Sequence, residues 1–155
     1  MKNKIIVIGL VLLIIVVIIV MFFVLRANNK VEKSNGNIVI SYESSPSYGL
    51  LEELNNHYII NVYDNMVVEY GHINDSKLKR RNLSKETYEE TYNYAFSDEF
   101  TNLEENLTDE WVMDWYSCYI TIYYKDGSSK KVGGFNPSNT IYKELEYRLL
   151  TLTEK

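Results

Sequence analysis

The chain divides into two patterns of hydrophobicity. Residues 5–25 read IIVIGLVLLIIVVIIVMFFVL, 21 positions without a charge or a strongly polar side chain. At ~1.5 Å per residue this run makes a helix ~31 Å long, the thickness of the hydrocarbon core of a bilayer. Its many β-branched residues would favour a strand in water. In lipid, every backbone polar group must be satisfied within the segment, so a run of this length is a helix. A cleaved signal peptide has a shorter apolar region, about 7–15 residues, followed by a small-x-small site. The nearest small residue here is Ala27, with Leu25 two positions before it. The pattern therefore predicts a tail at 1–4, an uncleaved transmembrane anchor at 5–25, a polar stalk at 26–36 and one small domain at 37–155.

Within the domain the apolar residues recur with short periods. Ile38–Tyr42 reads as a strand. His57–Tyr63 and Met66–His72 read as two more, joined by a tight turn at Asp64-Asn65. Leu50–Asn56 has the pattern of a helical turn. A basic loop, Lys77, Lys79, Arg80 and Arg81, leads to a helix capped by Ser84, with Leu83 and Tyr88 as a hydrophobic staple. Tyr88, Tyr92, Ala95 and Phe96 form the apolar stripe of that helix. Phe100, Leu103 and Leu107 extend the stripe past a break near Ser97.

Tyr116–Tyr124 alternates most cleanly, with Cys118, Ile120 and Ile122 on one face. The Lys125-Asp126-Gly127 turn then reverses the chain. With Gly127 in the left-handed position of a three-residue loop, Val132 falls opposite Ile120 and is buried; a two-residue turn would place it opposite Thr121, on the polar face. Asn136-Pro137 reads as the start of a last helix with the core stripe Ile141, Leu145, Leu149 and Leu152. The predicted order is β-β-β-α-β-β-α. This is an α+β domain with an antiparallel sheet and helices on one face, behind a single N-terminal transmembrane helix.

Charge and composition narrow the function. The domain carries eleven Lys/Arg and twenty Asp/Glu, a formal charge of −9. From Glu86 to Tyr124 there are ten acidic residues and no basic one. Such a surface repels phosphates, so nucleic acid is not expected as a partner. A cationic peptide or protein is. One cysteine, Cys118, makes no internal disulfide and reads as a small buried hydrophobe. Basic residues flank the anchor on both sides, yet a four-residue tail before a domain of ~120 residues is the layout of a signal anchor, which predicts a domain outside the cytoplasm. Sixteen Asn, fifteen Ile and two Ala look like the composition of a protein from an AT-rich bacterial genome. The layout is similar to small membrane-tethered domains of unassigned function in Gram-positive bacteria, a resemblance that implies no particular site.

Candidate chemistry is sparse, and no motif implies a cofactor. If Asp64-Asn65 is a two-residue turn, His57 faces His72 and the pair offers two imidazoles to Zn or Cu, without a third ligand on that face. Gly133-Gly134 ahead of a helix start offers an anion cradle; the plainer reading is a close backbone approach. Ser128-x-x-Lys131 sits beyond a hairpin rather than on the helix that such a pair needs for catalysis. The acidic segment lacks the spacing of an EF-hand. Fourteen tyrosines and two tryptophans all fall in the domain. Tyr119, Tyr123, Trp111 and Trp115, with Gly133 and Gly134, form the expected ligand surface, since Tyr and Trp join apolar area to a hydrogen-bonding group. The expected function is a membrane-anchored, non-catalytic binding or regulatory module. The alternative is a membrane-anchored hydrolase using a carboxylate pair.

Overall fold

The computed structural model describes residues 36–46, 57–109 and 116–154. The expected anchor, the stalk as far as residue 35, the expected helical turn before His57, and Trp111 and Trp115 lie outside these residues. Among the described residues no helix is long and apolar enough to cross a membrane.

Six strands form one sheet: β1 (Ile38–Pro46), β2 (Tyr58–Tyr63), β3 (Val67–His72), β4 (Lys79–Asn82), β5 (Tyr116–Tyr123) and β6 (Ser129–Phe135). Their order is β4-β3-β2-β1-β5-β6, with every neighbouring pair antiparallel. Helices α1 (Lys85–Ala95) and α2 (Asp98–Thr101) link β4 to β5, and α3 (Thr140–Thr151) follows β6. The fold is α+β.

The period-two pattern is what sorts the faces. Ile40, Tyr42, Ile60, Val62, Val68, Cys118, Ile120, Ile122 and Val132 turn inward and meet Ala95, Phe100, Tyr142, Leu145 and Leu149 in one core. Each fully buried aliphatic side chain contributes about 1.5–3 kcal/mol. Ile120 stands opposite Val132, and Gly127 takes φ 88°, so the three-residue loop is the one used. In α1, Ser84 Oγ accepts the Thr87 N–H at 3.1 Å, as the cap predicted. Thr91 and Ala95 are buried, and Tyr88, Tyr94 and Phe96 pack at the core's margin. Ser97 ends that helix and caps α2.

Four expectations need correction. The first hairpin is not a two-residue turn: Met66 N–H donates to Tyr63 O at 3.0 Å and Met66 takes φ 63°, giving a three-residue loop of the same design as the second hairpin. The basic loop is a strand, because the Arg80 guanidinium pairs with Glu69 at 2.7 Å across β3 and Arg81 donates to the carbonyls of Leu152 and Glu154 at the end of α3. A short second helix, α2, follows α1. The cap of α3 is Asn139, whose Oδ1 accepts the N–H groups of Ile141 and Tyr142. Asn136 instead turns the chain at φ 44°.

The two sheet edges are protected differently. Residues 105–109 run along β6, with Leu107 N–H donating to Gly133 O at 2.8 Å and Asp109 N–H to Phe135 O at 2.9 Å. At the other edge, β4 exposes Lys79, Arg80 and Arg81, charges that disfavour edge-to-edge pairing with another copy.

Candidate functional site

β1 and β5 pair from Pro46↔Tyr116 to Ile40↔Ile122, and the pairing ends there. β1 continues back to Ile38 through a bulge at Val39, bonded to β2 alone, and β5 continues to Tyr123, bonded to β6 alone. A cleft of about 650 Å³ lies at this parting of the strands, a size ordinary for small-molecule sites. Asn37, Ile38 and Val39 form one wall, and Tyr123, Tyr124, Lys125 and Gly127 the other. Asp64 reaches it from the β2–β3 turn, Tyr88 and Tyr92 from α1.

The rings are held in place by one another. Tyr88 stacks on Tyr92 with centroids 5.7 Å apart, and Tyr92 stacks on Phe96 at 4.3 Å. Phe96 meets Tyr124 edge-on at 5.7 Å. This i, i+4 spacing along a helix is what brings Tyr88, Tyr92 and Phe96 into one column. Burial pushes the Tyr88 hydroxyl above its ordinary pKa, with Tyr92 and the Asp64 charge adding to the shift, so it remains a hydrogen-bond donor. Among the described residues Asp64 is the one carboxylate of the lining, and Asn37 bonds both its oxygens: Oδ1 accepts the backbone N–H at 3.0 Å and Oδ2 the side-chain amide at 3.2 Å. Lys125 is exposed and forms no ion pair among the described residues.

A second polar cluster lies inside the core. Tyr42 Oη donates to Glu146 Oε1 at 3.0 Å and sits 3.7 Å from Cys118 Sγ. Lys143 Nζ closes on Glu146 Oε2 at 2.8 Å. The Cys118 thiol is raised above its ordinary pKa, chiefly by burial and against the hydrogen bonds it donates to Ser44 and accepts from Tyr42. Since the thiolate is the nucleophile, this group is held in its inert form. The cluster pins α3 to β1 and β5.

The structure distributes the predicted site residues widely. His72 stands opposite Tyr58, not His57, with the two rings 5.3 Å apart. His57 is displaced by one position, and adjacent strand positions face opposite sides, so the facing pair behind the metal reading is not formed. Among the described residues no group of three His, Cys, Asp or Glu is placed to hold a metal ion. Gly133 and Gly134 lie inside β6 rather than at a helix start. A Cβ on Gly133 would meet Cys118 O at 2.1 Å, and one on Gly134 would meet Thr108 Oγ1 at 2.5 Å. These glycines serve close backbone approach. Ser128 Oγ bonds Asp126 Oδ1 while Lys131 reaches Glu43, so the Ser-x-x-Lys residues point to different partners.

Tyr119 and Gly133 do share a shallow hollow of about 430 Å³ with Glu105, Asn106, Thr108 and Lys131. The Lys131 ammonium lies 4.4 Å over the Tyr119 ring and covers it. Tyr123 lines the larger cleft instead. The remaining groups of that cleft, Asn37, Asp64, Tyr88, Tyr92, Tyr124 and Lys125, come from separate segments that no linear motif joins.

No protein-family model matches the sequence, and no curated protein or solved structure matches it either. The cleft is therefore read from its own chemistry.

Proposed function

We propose that the chain is a single-pass membrane protein whose acidic domain, displayed outside the cytoplasm, binds a ligand without transforming it. The observation that carries this reading is the tyrosine-lined cleft. Its rings are ordered in advance, which lowers the entropic cost of binding, about 0.5–1.5 kcal/mol for each side chain that need not be immobilised. Its single carboxylate is engaged by Asn37 and has no second acid beside it, which disfavours hydrolysis by a carboxylate pair. On α1 and α2, Glu86, Glu89, Glu90, Asp98 and Glu99 are exposed. This field favours the approach of cationic protein surfaces and repels anions. The apolar run at 5–25 supplies the anchor.

Occupancy of the cleft is measurable in place. With an amine-reactive label on intact cells, Lys125 is expected to react more slowly than in the purified full-length protein, while exposed Lys79 on β4 reacts equally in both. Equal rates for Lys125 in both settings would show that nothing fills the cleft. Turnover of a hydrolase substrate that is abolished by Asp64→Asn would replace the binding reading with an enzymatic one.

A further inference from the structure

We infer that the ligand of this cleft is an uncharged, hydroxyl-rich saccharide; the inference rests on the cleft being the binding site. A cationic group entering the cleft finds its one carboxylate, Asp64, already bonded through both oxygens to Asn37 at 3.0 and 3.2 Å. It also meets the exposed ammonium of Lys125. Asn37 is neutral, so Asp64 keeps its charge; with the Lys125 ammonium in the same lining, the cleft carries one charge of each sign and gives a cation no net local attraction. An anion is attracted by Lys125 locally but must approach a domain of formal charge −9. Neither sign of charge is favoured at both ranges, and a neutral ligand is penalised at neither.

The lining suits such a ligand in its own right. Tyr88, Tyr92, Tyr123 and Tyr124 each offer ring surface and a hydroxyl that both donates and accepts. Lys125 adds up to three donors. A sugar ring presents a C–H face and an equatorial belt of hydroxyls, which match ring surface and mixed donors respectively. β1 and β5 do not pair beyond Ile40 and Ile122, so a ligand beside Ile38, Val39 and Tyr123 competes with no β1–β5 pair.

The test uses the full-length protein in lipid nanodiscs and three classes of probe. These are neutral oligosaccharides (glucan, mannan, galactan and N-acetylglucosamine oligomers), their carboxylated counterparts, and a basic peptide. Binding is followed by calorimetry and by NMR of the tyrosine rings. A neutral oligosaccharide is expected to bind and to perturb Tyr88 and Tyr123. Its affinity is expected to change less than twofold between 0.01 and 0.15 M salt, although the Debye length falls from about 30 Å to about 8 Å across that range. Tyr88→Phe keeps the stack and removes one hydroxyl, so affinity falls about two- to tenfold. Tyr123 is 40% exposed, and Tyr123→Ala is expected to weaken binding about tenfold, measured well below the unfolding midpoint of the variant so that the loss is one of binding.

A carboxylated saccharide that binds better than its neutral counterpart, and loses that advantage in Lys125→Gln, would overturn the inference. So would a basic peptide that binds at the same residues with strong salt dependence. Either result leaves the cleft a binding site. Failure of every neutral oligosaccharide to perturb the cleft also overturns the inference, and the Lys125 labelling experiment then decides separately whether the cleft binds anything.

Discussion

The two hairpins of this domain use the same three-residue loop with different residues at its strained position. Gly127 takes φ 88° and Met66 takes φ 63°. A left-handed backbone costs an L-residue about 1–2 kcal/mol, whereas glycine adopts it freely. Glycine also loses more freedom on folding, which returns about 0.5–1 kcal/mol of that difference. A Cβ at Gly127 would meet nothing within 4 Å, so Gly127→Ala isolates the torsional cost. The expected effect is a loss of about 0.5–1 kcal/mol, the strain less the entropy recovered. Met66→Gly reverses the exchange. Met66 is only 38% exposed, so about 1 kcal/mol or more of apolar burial is lost with its side chain, which offsets the torsional gain, and no net stabilisation is expected. Urea unfolding of the full-length protein in micelles, followed by near-ultraviolet circular dichroism, measures both variants. The Gly127→Ala midpoint should fall and the Met66→Gly midpoint should not rise, both with unchanged slopes. No effect of Gly127→Ala would refute the claim that the third loop position stores the strain.

Three further outcomes are expected. Gly133→Ala drives a methyl group against Cys118 O, and it should cost at least about 3 kcal/mol or prevent folding, read from the unfolding midpoint of the purified protein. Asp126 has its pKa lowered by the side-chain and backbone hydrogen bonds of Ser128, so its contribution to the turn is present above the unfolded-state pKa and is lost as pH falls through the lower folded one. A carbonyl-carbon NMR titration should give Asp126 a midpoint below that of an ordinary aspartate, and Ser128→Ala should raise it part of the way, since the backbone N–H of residue 128 still donates. Protease added to intact cells or spheroplasts is expected to remove the domain and leave the anchor; digestion only after lysis would place the domain in the cytoplasm.

Comparing the two hairpins shows which signals sequence carries. Gly127 announces a left-handed position, so the β5–β6 register and the burial of Val132 could be read directly. Met66 announces nothing of the kind, and a turn one residue too short moved His57 to face His72. β4 was hidden because Lys79-Arg80-Arg81 resembles a solvated linker; what makes it a strand is Glu69 on β3 and the end of α3, both distant in sequence. Asn136-Pro137 looked like a helix start because cap and proline are local signals, while Asn139, three residues on, holds the actual cap. The core stripe of α3 was legible at Leu145, Leu149 and Leu152, yet Tyr142 is buried among them with no hydrogen-bond partner for its hydroxyl among the described residues, and Glu146 is buried with Tyr42 of β1 as its partner. The cleft was the least legible feature. Tyrosine abundance pointed to an aromatic surface, but where β1 and β5 stop pairing is a property of the whole sheet.

The first strand of the domain is also one of its innermost. β1 is paired along both sides, through six residue pairs with β2 and seven with β5. Tension arriving through the residues before Ile38 is therefore received by a strand held in the middle of the sheet. Drawing β1 along its own axis loads both ladders in shear, so many bonds must fail together. A strand at the margin would instead unzip one bond at a time. Single-molecule extension that pulls on β1 from its Ile38 end should therefore show a higher rupture force than extension that peels β4 from β3.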